Sequence, residues 1–353
     1  MSKRKLKTAV LGLDDKGQLL LKAAADTDYF HIQAVADKDT ALAKKTALTY
    51  NCDPYDDYRQ LIVQNHFDTL LVAAPLYTCD EYIKTAIKKK FNILKLAPPA
   101  RNFEEAAQIV RLAENQNVKF AVANPSRFSQ SFLAMRHLLQ QKQIEKVFLI
   151  TALCALKNEK IGDWQTDPKL AGGGVLLRNC YHIIDQIILN FALPQQVYSL
   201  NTNQAEDRQQ RLYLTEDTAI VNLKFNDTLF ANLIAGRTFG PQQQLLKVYG
   251  KNKILTIETN TFTVTDSRGQ NSEKSHYQDN ELSSITKMLE NFALSLLCPD
   301  NNKLSSTAAE NLNNMAVIES AYLSARTGMP EEPARILQMA QTNPTILWQG
   351  HKL

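Results

Sequence analysis

The sequence predicts a two-domain α/β protein in which a doubly wound parallel sheet is followed by an α+β domain built on a large, mostly antiparallel open sheet. Three observations carry this. Short apolar runs alternate with helical periodicities through the first third of the chain. From about residue 146 the pattern changes to closely spaced β-branched and aromatic runs punctuated by Asn, Asp and Gly turns. A length of 353 residues also exceeds what one hydrophobic core usually serves. The division is expected near residues 124–128, giving segments 1–124 and 125–353.

In order, residues 8–12 read as a buried strand ending in glycine, 18–25 as a helix and 31–36 as a second strand, the length of one βαβ unit. Strands at 68–74, 91–96 and 118–123 then alternate with helices at 78–90 and 103–115. Such alternation indicates a parallel sheet covered on both faces, with ligands bound beyond the carboxyl ends of its strands. In the second half, strands are expected at 147–152, 197–200, 219–225, 229–234, 246–250, 254–258 and 262–265. One helix, 175–192, interrupts this series, and helices at 282–297 and 306–326 follow it.

Composition narrows the function classes. With 44% hydrophobic and 22% charged residues the chain is an ordinary globular protein. Its formal charge of +4 is concentrated in two short lysine-rich runs, so no nucleic-acid surface is expected. The basic start lacks the apolar stretch and cleavage pattern of a secretory signal, and no run is long enough to span a membrane. Five scattered cysteines without CxxC spacing suggest neither a disulfide framework nor a metal site, so the expected compartment is the cytoplasm and the expected metal is none.

The turn after the first strand reads Gly12-Leu13-Asp14-Asp15-Lys16-Gly17. In the GxGxxG fingerprint the first glycine makes the tight turn, the second admits a pyrophosphate and the third lets helix and strand pack closely. Here the second place holds Asp14, which would add bulk and negative charge. Asp37, closing the second strand about twenty residues after the loop, suits hydrogen bonds from ribose hydroxyls and repels a 2'-phosphate. It favours NAD, with neighbouring Lys38 leaving NADP open; as a plain strand-end turn residue Asp37 would carry neither meaning.

Several patterns in order resemble the Gfo/Idh/MocA oxidoreductase family over nearly the whole chain: Ala9-Val-Leu-Gly12, Ala34-Val-Ala-Asp37, Tyr55-Asp-Asp-Tyr58, Asp68 to Pro75, Asn92 to Ala100, Trp164 followed by Gly172-Gly-Gly174, His182-Ile-Ile-Asp185 and Ser324-Ala-Arg-Thr-Gly328. The resemblance implies an N-terminal Rossmann-type domain that binds NAD, or alternatively NADP, through Gly12, Leu13, Asp14, Gly17, Asp37, Lys38, Ala74 and Pro75. It also implies a C-terminal domain that holds a sugar, inositol or related polyol and assembles through its sheet into a homodimer or homotetramer. The departures matter for chemistry. The family's Glu-Lys-Pro element falls on Leu96-Ala97-Pro98, so its lysine is Ala97; its frequent histidine after the preceding strand is Cys79; and its DxGxH pattern reads Arg178, Cys180, His182, with Asp185 following.

Hydride transfer from an alcohol carbon needs a group that takes the hydroxyl proton, and imidazole titrates near neutrality. His182 is therefore the expected acid or base. If residues 175–192 form one helix, Arg178, His182 and Asp185 share a face. Asp185 then orients the ring, and Arg178 opposes its protonation or pairs with an anionic substrate group; a plain Arg178–Asp185 ion pair is the alternative. Lys95, two residues before Ala97 and about 6.6 Å back along the strand, is a candidate replacement for the missing amine. Trp164 and Arg127 are candidate substrate contacts, Trp164 by packing on a sugar ring. Two rival readings remain: a catalytically lapsed nucleotide- or sugar-binding sensor or partner subunit, and an enzyme that recycles a retained NAD.

Overall fold

The structure, a computed structural model, describes residues 4–156, 163–203, 215–237, 241–259, 261–277 and 280–342. It separates into two compact units, and the separation is not a single cut of the chain. The first comprises Met1–Ala100, Glu105–Phe128 and Asn280–Asn311; the second comprises Arg101–Glu104, Ser129–Asp279 and Leu312–Leu353.

The first unit runs β1 (Leu6–Leu11), α1 (Asp15–Ala25), β2 (Phe30–Ala36), α2 (Thr40–Tyr50), β3 (Asp53–Tyr55), α3 (Tyr58–Gln64), β4 (Thr69–Val72), α4 (Leu76–Lys88), β5 (Asn92–Leu96), α5 (Phe103–Asn115) and β6 (Phe120–Ala123), closed by a 3-10 turn over Pro125–Phe128. The strands form one parallel sheet in the order β3-β2-β1-β4-β5-β6. β4 and β6 are buried at every position because helices cover both faces, which is why they read as continuous apolar runs. The order reverses between β1 and β4, and in such sheets ligands bind outside the carboxyl ends at that point.

The helix α11 (Glu281–Leu297) belongs to this unit. Ile285, Met288, Leu289 and Phe292 recur at helical spacing and join the core that contains Leu20 and Leu21. Beyond it, the Val122 N–H donates to Ser306 O (3.1 Å) and Ala121 bridges Thr307, extending the edge of β6. Segment 280–311 thus completes the first core, whereas the sequence placed it with the second.

The second unit contains α6 (Gln130–Gln140), β7 (Leu149–Ala155), α7 (Asp163–Thr166), α8 (Pro168–Ala171), α9 (Val175–Arg178), α10 (Tyr181–Phe191), β8 (Gln196–Thr202), β9 (Thr218–Lys224), β10 (Phe230–Gly236), β11 (Gln243–Tyr249), β12 (Lys253–Glu258), β13 (Thr261–Asp266) and β14 (Asn271–His276), then α12 (Ala308–Thr327) from Leu312 onward and α13 (Pro333–Thr342). The strands form an eight-stranded sheet, β14-β13-β12-β11-β7-β10-β9-β8, antiparallel except at the β7–β10 pair. Strict alternation of burial, as in β9, marks a sheet with one covered face. α6 and α9 pack on it, and α10 packs against both helices. Residues of the other parity, among them Leu200, Ile220 and Phe230, are 55%, 38% and 44% exposed.

The helix expected over 175–192 is two helices. α9 stops at Arg178, Asn179 and Cys180 intervene, and α10 starts at Tyr181 with Cys180 in its N-cap position. The single helical face proposed for Arg178, His182 and Asp185 therefore does not form. Among the described residues no helix is long and apolar enough to cross a membrane.

Candidate active site

The candidate site of the first unit is the β1–α1 turn at the switch point. Gly12 adopts φ +87°, and a Cβ there would lie 2.4 Å from the Ala74 nitrogen, so only glycine fits the turn. The close approach arises because the Ala73 and Ala74 N–H groups, just past β4, both donate to Leu11 O at 2.7 and 2.9 Å. Gly17 sits equally tightly, its missing Cβ replaced by contact with the Gly12 carbonyl. Pro75 is the N-cap residue of α4 and offers no side-chain cap, but its carbonyl accepts the Thr78 N–H at 3.0 Å.

Asp14 has an ordinary φ of −61° and serves as the N-cap of α1, its carboxylate accepting from Gly17 N–H at 2.9 Å. That oxygen occupies the helix N-terminus, the place at which the fingerprint seats a pyrophosphate. Asp37 follows β2 as expected, with one oxygen accepting from Leu13 N–H (2.7 Å) and the other from Asp39 N–H (2.9 Å). Each carboxylate oxygen has a second lone pair, so Asp37 can still receive two hydroxyl donors. Lys38 places its ammonium 5.6 Å from the centre of the Tyr77 ring. Gly12, Gly17 and Asp37 thus fit a dinucleotide; Asp14 is the group that opposes one.

Lys95 is 3% exposed, and its ammonium donates to Leu96 O (3.0 Å) and Pro98 O (2.9 Å). Burial lowers its pKa. It ties down the strand end, lining a small pocket with Cys79, Asp80 and Glu105. Arg127 is 6% exposed and donates to Ser305 O and, at 3.1 Å, to Glu310, anchoring segment 280–311 within the first unit.

The candidate residues of the second unit lie around α9 and α10. His182, half-buried in the first turn of α10, pairs its Nε2 with the side-chain nitrogen of Gln244 on β11. Asp185, fully buried, accepts from Asn314 Nδ2 at 2.8 Å. Arg178 is half-buried at the end of α9, its guanidinium 5.1 Å from the centre of the Trp164 ring and 3.4 Å from Gln165 O. Trp164, expected to pack on a sugar, has Arg178 on its ring.

The residue missed by sequence reasoning is Glu216. Buried at the start of β9, its carboxylate receives Gly174 N–H (2.7 Å), Leu176 N–H (2.9 Å) and Tyr322 O–H (2.9 Å). Burial raises its pKa, and these donors partly offset the rise. This explains the Gly172-Gly-Gly174 run: Cβ atoms there would collide with Arg101 O, the Tyr322 hydroxyl and Glu216 O in turn. The only sequence signal was the acidic Glu216 itself, 42 residues from its partner Gly174. Cys154 and Cys180 are both buried, and the Cys154 thiol donates to Asn179 O at 3.9 Å at the α9–α10 break. Among the described residues no cluster of His, Cys, Asp and Glu could hold a metal.

The arrangement is one of a nucleotide turn on a doubly wound sheet and a histidine and arginine over an open antiparallel sheet. The oxidoreductase family model for an NAD-binding Rossmann fold matches residues 6–124, and that for the C-terminal α/β domain matches 136–332. The chain belongs to the Gfo/Idh/MocA oxidoreductase family. It is 27% identical over 168 residues to trans-1,2-dihydrobenzene-1,2-diol dehydrogenase of Xenopus tropicalis, covering 47% of this chain and 51% of that protein. It is 25% identical over 163 residues to dTDP-3,4-didehydro-2,6-dideoxy-alpha-D-glucose 3-reductase of Saccharopolyspora spinosa, 44% and 47% of the two chains. The chain thus spans about half the length of these curated relatives. Among solved structures, an inositol dehydrogenase homologue from Azotobacter vinelandii, complexed with NAD+, superposes with TM-score 0.84 at 15% identity over 94% of this chain and 99% of that one.

Proposed function

We propose that this chain is an NAD-dependent oxidoreductase acting on a hydroxyl-bearing carbon of a sugar, inositol or related polyol, with His182 as the acid or base. The observation that carries the reading is the Gly12 turn, closed against Ala74 at the switch point with Asp37 beside it, in a chain whose two halves match the family. Bound NAD supplies the hydride acceptor. Gly12, Leu13, Gly17, Ala74 and Pro75 shape its cradle, Asp37 receives its ribose hydroxyls and disfavours NADP, and Lys38 flanks the same edge. His182 takes or returns the hydroxyl proton, its ring oriented by Gln244, while Asp185 fixes the α10 helix through Asn314. The free, mostly buried thiols support a reducing cytoplasm, and the exposed apolar parity of the sheet supports assembly into a homodimer or homotetramer.

The test is calorimetric titration of the purified protein with NAD, NADH, NADP and NADPH, followed by a polyol turnover screen. NAD or NADH is expected to bind at micromolar dissociation constant or tighter, more strongly than the phosphorylated forms. His182→Gln should keep that affinity and slow turnover by about a hundredfold to ten-thousandfold. No binding of any of the four would sink the reading in favour of a lapsed sensor or partner subunit, and retained cofactor without net NADH production would point to internal recycling.

A further inference from the structure

In the second unit Arg178 and Arg237 stand at the ends of neighbouring elements, α9 and β10, and among the described residues no carboxylate pairs with either. Arg178 ends α9, braced by Trp164 and bonded only to the Gln165 carbonyl at 3.4 Å, the outer limit of a hydrogen bond. Arg237 follows the last residue of β10, with its N–H on Asp217 O at 3.1 Å. Both are half-buried, and among the described residues neither forms a salt bridge. Arg127 of the first unit, by contrast, has Glu310.

Topology brings the two together. Gly236 pairs with Thr218, so Arg237 leaves the sheet beside the Glu216–Asp217 bend, and Glu216 in turn caps the first turn of α9. Glu216 forms no salt bridge with either arginine; its oxygens accept from Gly174, Leu176 and Tyr322. Burial, and then the like charge of Arg237, lower the Arg178 pKa, while Glu216 and Tyr322 oppose this. Half-buried cations are costly unless an anion completes them. Two positive charges and one nearby negative charge leave room for a single further negative charge, which matches a carboxylate better than a phosphate dianion. A guanidinium steadied by a neighbouring indole can also bind a planar carboxylate through two parallel N–H donors.

We propose that Arg178 and Arg237 bind a carboxylate of the substrate, so that the molecule oxidised or reduced is a hydroxylated acid, such as a sugar acid, rather than a neutral polyol. The word substrate rests on the oxidoreductase reading above; the anion site does not, and it is tested without cofactor.

Trp164 reports on the site directly. The chain has one other tryptophan, Trp348, so Trp348→Phe leaves Trp164 as the sole indole. In that background its emission is followed at constant ionic strength against acetate, D-glucuronate, D-glucose, inorganic phosphate and chloride. Acetate and D-glucuronate should change the emission saturably, D-glucuronate more tightly, with D-glucose and chloride inert and phosphate weaker. Arg237→Gln should weaken carboxylate binding about tenfold or more, equivalent to about 1.4 kcal/mol. Arg178→Lys, which keeps the charge but not the planar fork, should weaken it as well. Circular dichroism checks that each variant is folded, and the two substitutions on different elements guard against one failing to fold. An emission unmoved by carboxylates, an equal response to D-glucose, tighter binding of phosphate, or unchanged affinity in Arg178→Gln/Arg237→Gln would each overturn the proposal. A protein that binds carboxylate but none of the four dinucleotides would sink the oxidoreductase reading and leave the anion site standing.

Discussion

The β1–α1 turn of the first unit and the α9–α10 segment of the second have both exchanged a residue that the family resemblance leads one to expect, and in both the exchange alters charge. Asp14 adds a carboxylate where a glycine is expected, and the chain absorbs it: the oxygen caps α1 through Gly17 N–H. Arg178 replaces an expected aspartate with a cation, and the chain does not absorb it in the same way: among the described residues no carboxylate pairs with the guanidinium, and Arg237 adds a like charge nearby. A charge satisfied inside its own element contributes to folding and subtracts from binding there. A charge left half-buried without a counter-ion is set up for a ligand. The two regions therefore predict opposite responses to substitution.

The largest effect should come from the backbone frame shared by both interpretations. Gly12→Ala would put a methyl 2.4 Å from the Ala74 nitrogen at φ +87°. Backbone on both sides leaves nothing flexible to yield, so a loss of about 3 kcal/mol or more is expected in chemical denaturation. A variant with wild-type midpoint would mean that the turn is looser than drawn and that the Asp14 argument has lost its frame.

Next is Glu216, which organises the second region. Glu216→Ala leaves the Gly174 and Leu176 N–H groups and the Tyr322 hydroxyl without their acceptor, at a cost of about 2–4 kcal/mol. The pH dependence sharpens this. Its folded pKa is raised by burial above the ordinary 4.5, so the folded state holds its proton more firmly than the unfolded chain. That contribution is fully present below about 4.5 and is lost as pH rises through the folded pKa. Glu216→Gln should remove this part of the slope in stability measured from about pH 4 upward. An unchanged slope would show that the donors hold the carboxylate ionised throughout.

The two regions were also unequally legible in sequence. The parallel sheet announces itself because fully buried strands are unbroken apolar runs, and Gly12 and Asp37 fall at the ends of such runs, where local pattern suffices. α2, α3 and α6 carry weaker signals; α2 buries only Ala43, Thr46 and Ala47. The break between α9 and α10 has no glycine or proline to mark it, since it is imposed by packing around Cys180 rather than by local preference. The pairings of Glu216 and Arg127 were missed for a common reason: their partners lie 42 and 183 residues away, and spacing along the chain carries no trace of such pairs. For Lys95, a candidate replacement for the missing amine, a strand pattern does not reveal that its ammonium turns back onto the Leu96 and Pro98 carbonyls.

The smallest change in folding, and the most direct test of the contrast, is Asp14→Gly. Glycine is tolerated at an N-cap for a few tenths of a kcal/mol, so the melting temperature should hardly move. If the carboxylate competes with a pyrophosphate for the α1 N-terminus, its removal should tighten NAD binding by about tenfold, the effect of about 1.4 kcal/mol of relieved repulsion and freed N–H donors. Adenosine, which lacks the diphosphate, should bind both proteins alike. Asp14→Asn keeps a capping oxygen but not the charge, and it should recover only part of the gain. Equal NAD affinity in all three proteins would mean that the pyrophosphate avoids this helix end, and that the charge at Asp14 bears on folding alone.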